Sequence, residues 1–241
     1  AVANATGGFK LYGGTGALQM SGGTDISTGL DFGVQYSAPA GYSVINPISS
    51  LIYAVQELES SSNDAAYEVV RAAIYGASGG PSASTVPNYD PFNAAVNADS
   101  TADADAAVAY QRMAAAIATV VEISSEAMVA LAVTDGASTA LTQAQASMVV
   151  FSSIGADIGT SAGFTAGTLL SQLQDSTFVG NLVSDIVTNA PTPATQEQID
   201  AIVTILQTST TAIADATSTD TIATLTEITK VQLVAQGDAG A

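Results

Sequence analysis

The side chains best equipped for chemistry in this 241-residue chain are carboxylates. Asp and Glu number 22 against 4 Lys and Arg, and there is no His, Cys or Trp. Asp99, Asp103 and Asp105 fall within one short run, a spacing that offers oxygen ligands to a hard cation such as Ca²⁺. The run is no EF-hand, because the glycine of the sixth loop position and the closing glutamate are both missing. The same acids would also open a helix, where the positive end of the macrodipole favours negative charge. Asp25 and Asp31 form a second candidate on a glycine-rich stretch, where turn chemistry is the favoured account of them. Glu122 and Glu126 stand one helical turn apart and are the nearest approach to a hydrolase pair, although Ser124-Ser125 between them reads as a solvated face.

Other chemistries lack their parts. Without histidine or cysteine there is no imidazole or thiol catalysis and no Cys/His zinc site. The glycine cluster at 76–80 lacks the Lys-Ser/Thr of a phosphate loop. Lys10, Arg71, Arg112 and Lys230 are too scattered for a phosphate-binding patch, so nucleic acid is not an expected partner. No cofactor is expected, with Ca²⁺ the one alternative the carboxylates leave open. The balance of residues points away from an enzyme and predicts no catalytic residue.

The elements that would position these groups divide near residue 45. Residues 1–45 hold ten of the 21 glycines, and Phe9–Tyr12, Ala17–Met20 and Leu30–Ser37 alternate as short strands do. This reads as a small β segment or an assembly arm. From residue 46 the period becomes helical. Pro47 fits a first helical position with Asn46 as its cap, and Ile48, Leu51, Ile52 and Val55 form one stripe. A second helix starts at Asn63 or Asp64 and stops at Gly76, and residues 76–92 read as a loop. Further helices are expected at about 103–133, 139–154, 166–189, 195–214 and 219–235, with Thr195 and Gln198 matching a capping box. Gly155, Gly159, Gly163 and Gly167 recur every fourth residue. In a water-exposed helix each would cost about 1 kcal/mol relative to Ala, so this stretch is expected to be loop until near Thr165. The expected fold is mainly α, a helical bundle preceded by a small Gly-rich β segment (α+β overall). The helical domain would span 46–241 with a possible break near 76–100.

Four phrases stand out in order: "GGTDISTGLDF" (22–32), "SAPAGYSVINPISSLI" (37–52), "NYDPFNAAVNAD" (88–99) and "AYQRMAAAIATVV" (109–121). Together they resemble a helical module found in large bacterial extracellular surface proteins of the RTX/cadherin/VCBS adhesin type. The likeness covers roughly residues 20–125. Where the module usually carries Thr-Pro this chain has Asn46-Pro47, an acceptable exchange of one cap for another. The motifs are caps and turns, so the resemblance implies a setting rather than an activity.

That setting agrees with the composition. Formal net charge is −18, yet only 11% of residues are charged and 47% are hydrophobic. Carboxylates without lysines suit a saline or calcium-containing exterior, where cations screen their repulsion. The uncharged stretches at 32–56 and 136–156 carry prolines or many hydroxyls, so no membrane span is expected. The expected role is an extracellular bacterial structural protein acting by self-association, as a filament, surface-layer or matrix subunit. Residues 1–36 would be the contact of a homo-oligomer or homopolymer. A Ca-dependent adhesin module is the alternative, and a carboxylate-based hydrolase a weaker one.

Overall fold

The structure is a computed structural model. It describes residues 2–3, 9–10, 16–22, 33–76, 79–134, 141–159, 167–188 and 194–239. The chain is mainly helical, with short antiparallel β pairs before the first helix. Strands β1 (Val2–Ala3) and β2 (Phe9–Lys10) pair with each other. Strand β3 (Leu18–Met20) pairs with β4 (Tyr36–Ala38) in the register Leu18–Ala38, Gln19–Ser37 and Met20–Tyr36.

Local sequence explains the first helices. In α1 (Pro47–Glu59) the Asn46 side chain accepts from the Ser49 N–H and the Ser49 hydroxyl accepts from the Asn46 N–H, with proline at the first position. The helix ends at Ser60 in the left-handed conformation, φ 51°. Helix α2 (Asn63–Tyr75) starts behind Ser62 as cap and stops at Gly76, as expected. Residues expected to be loop are more ordered than the sequence suggested. A 3-10 turn at Val86–Asn88 leads into α3 (Pro91–Val96), whose cap is Asp90, accepting from the Phe92 and Asn93 N–H groups.

Helix α4 (Thr101–Thr134) is the axis of the molecule. Its 34 residues give a length of roughly 51 Å at 1.5 Å per residue. Residues 113–121 are buried without interruption, so the middle of the helix is covered on all sides rather than along one stripe. It is long and apolar enough to cross a membrane by length and composition, and 72% of its most apolar window is buried inside the fold.

Helices α5 (Gln143–Gly159), α6 (Leu169–Gln172), α7 (Ser176–Thr188), α8 (Gln196–Asp215) and α9 (Thr221–Ala239) complete the bundle. Two expectations fail here. The helix expected over 166–189 is broken, because Asp175 turns the chain and caps α7 through the Thr177 and Phe178 N–H groups. The glycine run is not loop throughout: Gly155 and Gly159 are helical, Gly163 lies outside the described residues, and Gly167 is a turn residue with φ 79°. The reason is a helix contact. A Cβ at Gly155 would meet Leu58, Ala54 and Val55 of α1 at 3.2–3.5 Å, so α5 lies close against α1 here with no room for a larger side chain. The Thr195–Gln198 capping box is present.

One core joins these elements. Val34, Tyr36, Ala38 and Tyr42 belong to it together with Leu51, Ile117, Ile154, Leu182, Leu206 and Ile228. The change of period at residue 46 is therefore a change of secondary structure within a shared core. Arg112 ties the C-terminal pair to the axis, donating to the carbonyl of Ala216, the C-cap of α8, at 2.8 Å. A cation there faces the negative end of the helix dipole.

Candidate functional site

The three acids singled out as calcium ligands do not converge. Asp99 and Asp103 line a hollow of about 320 Å³ with Gly80, Pro81, Tyr89 and Asn97, and Asp105 is not part of its wall. Asp103 is also engaged in a capping pattern: its carboxylate accepts from the Ser100 hydroxyl at 2.7 Å, and its N–H donates to the same oxygen at 3.2 Å. Among the described residues no three carboxylates gather as a metal set. Asp25 and Asp31 lie outside the described residues.

The Glu122–Glu126 pair is placed differently from its sequence reading. Ser124 and Ser125 between them are buried, not solvated, because this part of α4 packs into the core on the serine side. Ser125 donates back to the Glu122 carbonyl, and Glu122 accepts from the Gln143 amide at 3.1 Å. Burial raises the Glu126 carboxyl above its ordinary range. Neither acid lines the hollow walled by Asp99 and Asp103, the one beside Gln35 and Phe151, or the one beside Thr168 and Phe178.

The most specific polar construction lies elsewhere, where residues 33–38 pass between α1 and α5. An antiparallel strand turns alternate backbone groups to opposite edges. Tyr36 and Ala38 serve the edge toward β3, and the groups of Gln35 and Ser37 face the helices. Serine hydroxyls meet them there. The Ser37 N–H donates to Ser50 Oγ at 2.9 Å, and the Ser37 carbonyl lies 2.9 Å from Ser49 Oγ and 3.0 Å from Ser50 Oγ. The Gln35 N–H donates to Ser147 Oγ at 2.9 Å, across 112 residues of sequence. The Gln35 amide reaches the Met148 sulfur, and Tyr36 stacks edge-on against Phe151 with ring centroids 5.9 Å apart. A buried strand edge needs partners for each N–H and C=O. Here two helices supply them in place of a third strand.

The entrance of the segment is shaped as closely. A Cβ at Gly33 would fall on the Gln143 amide, which in turn holds Glu122. Its exit is the turn Pro39–Tyr42, in which the Tyr42 N–H donates to the Pro39 carbonyl and Gly41 has φ 89°. Asn63 holds the Ala40 carbonyl at 2.8 Å, and Pro87 accepts from Ser43 and Val44. The Tyr42 phenol, buried beside Asp64, is pushed up to about 12, with burial the larger cause. Tyr67, Tyr75 and Tyr110 nearby are raised further by burial, against the lowering effect of the Asn46 amide on Tyr110 and of Arg71 on Tyr67.

Sequence reasoning placed a contact in residues 1–36 but missed the receiving groove. Its signal was the Ser-Ser pair of "NPISSLI", which looks like an ordinary first helical turn until the strand is seen beside it. No family, curated protein or solved structure matches this chain.

Proposed function

We propose that this chain is a non-enzymatic structural protein of the bacterial exterior, working by self-association as a filament, surface-layer or matrix subunit. The observation that carries this reading is the serine-lined groove holding β4, together with the edge of β3, whose outer side has no strand partner among the described residues. Unpaired strand edges recruit other strands, and strand addition is a recurrent mode of recognition. Support also comes from the residues: imidazole and thiol are missing, charge is sparse, and Thr204, Thr208 and Thr211 are exposed along α8.

Residues 1–36 are the proposed contact, with the helical part as its receiver. Light scattering on the full chain tests the reading, with and without millimolar calcium. Large regular assemblies are expected in both conditions, and deletion of residues 1–20 should abolish them with helical circular dichroism intact. A monomer in every condition overturns self-association. A monomer whose melting temperature rises with calcium would instead favour the adhesin module, through preferential binding to the folded state.

A further inference from the structure

Where α6 turns into α7 the surface holds a hollow of about 590 Å³, in which self-association has no part. Its size falls within the range of about 300–1,000 Å³ that small-ligand sites occupy. Ser171, Gln172, Asp175, Thr177, Phe178 and Asn181 line it. We propose that this hollow binds a neutral saccharide.

The wall itself selects that class of ligand. No lysine or arginine lines it, so nothing there holds an anion. Its one carboxylate, Asp175, already accepts from the Thr177 and Phe178 N–H groups at 2.9 and 3.0 Å, which offsets its pull on a cation. A single aromatic ring among polar side chains suits no wholly apolar molecule. A sugar ring matches both parts. Its C–H groups can cover Phe178, and its neighbouring hydroxyls donate and accept as side-chain amides do.

Gln172 is an independent sign of a missing partner. Its Oε1 is buried with no hydrogen-bond donor. Native structures keep few such atoms, because an unpaired buried acceptor is a standing cost. The terminal torsion of glutamine is soft, so the amide can turn to meet a hydroxyl in the hollow. The Asn181 amide is exposed and without a partner among the described residues, so it is free to bond the same ligand.

The wall is also fixed before a ligand arrives. From α8, Thr210 donates to the Leu173 carbonyl and the Gln207 amide to the Gln174 carbonyl, both at 2.9 Å. Ser171 donates to the Thr168 carbonyl at 2.8 Å, and the Gly167 N–H donates to the Ala72 carbonyl of α2 at 2.8 Å. Leu169 and Leu173 anchor the turn in the core. A wall held in this way loses little freedom on binding.

The full-length chain is mixed with glucose, galactose, mannose, N-acetylglucosamine and short oligomers of each, with glycerol as control. Saturation-transfer difference spectra are read on the ligand and serve equally for a monomer or an assembly. Saturable transfer to the ring protons of at least one saccharide is expected, with none to glycerol. N181A and Q172L should each weaken that binding by about fivefold or more. Q172L removes the orphan acceptor at similar volume, so it should melt no lower than the parent, which separates lost binding from lost folding. A lower melting temperature would mean that the amide is already partnered and would overturn its role. Transfer to no saccharide, equal transfer to glycerol, or binding undiminished in both variants overturns the site. Self-association is decided separately, by light scattering.

Discussion

Toward their C-termini α1 and α5 touch through a missing side chain, and toward their N-termini the same two helices part to hold a strand. At the first end Gly155 sits against Ala54, Val55 and Leu58, and Gly159 lies beside Glu59. At the second, Ser50 and Ser147 face the backbone of residues 35–37. Both ends must bring a backbone close to a helix. Where the neighbour is apolar, deleting the side chain suffices. Where it is a strand edge with unpaired N–H and C=O groups, the helix must also supply hydrogen-bonding atoms, and serine is the smallest residue that does so at two adjacent positions. The pair teaches that closeness and polarity are set separately along one interface.

Substitution at the glycine end should have the largest effect. Gly155→Leu would force α5 away from α1, with an expected loss of about 3 kcal/mol, seen as a lower urea midpoint with an unchanged slope. A stability within error of the parent would mean that the helices are not in close contact there. At the serine end, Ser50→Ala leaves the buried Ser37 N–H without its acceptor, an expected cost of about 1–3 kcal/mol. Hydrogen exchange should localise the loss to residues 33–38, and uniform exchange across the bundle would contradict the local role.

The two ends also respond to opposite extremes of pH. Tyr42, at the strand exit, has its phenol raised from 10.0 to about 12, so the folded state holds a proton that the unfolded chain releases. That stability is fully present below pH 10 and is lost as pH rises toward 12. Chemical denaturation across this range should show a steady fall, with phenolate absorbance appearing at the unfolding transition. Free titration of this group near pH 10 in the folded protein would contradict it.

The smallest effect is expected at the glycine end. Burial and then the nearby Asp185 raise the Asp157 carboxyl, so the folded state favours its protonated form. Its contribution is therefore present below the unfolded value of 3.8 and lost as pH rises through the folded one. Asp157→Asn should raise the melting temperature at pH 7 by on the order of 1–2 °C and flatten its dependence on acid. An equal shift at pH 4 and pH 7 would separate the effect from ionisation.

The features legible in the sequence were those whose causes are local. Asn46-Pro47, Gly76 and Thr195 with Gln198 specify helix ends through atoms three or four residues away, and the structure has them where expected. Asp175 and Asp90 carried the same kind of signal and were passed over, one inside an assumed helix and one inside an assumed loop. Gly155 and Ser125 were misread for a different reason. Glycine looks costly in a helix, and paired serines look solvated, only if the helix faces water. Their surroundings are set by α1 and by the burial of the middle of α4, neither of which leaves a periodic trace nearby. The groove was illegible for the same cause, since Gln35 and Ser147 are joined only by folding.

That separation has a consequence for biosynthesis. Residues 33–38 are made first, and α1, the nearer wall, follows almost at once. The other wall is 112 residues away. At the usual pace of translation, about 5–20 residues per second, the segment waits on the order of ten seconds for Ser147. For that interval each new chain carries a strand with half of its resting place unmade, while chains already finished nearby have theirs complete.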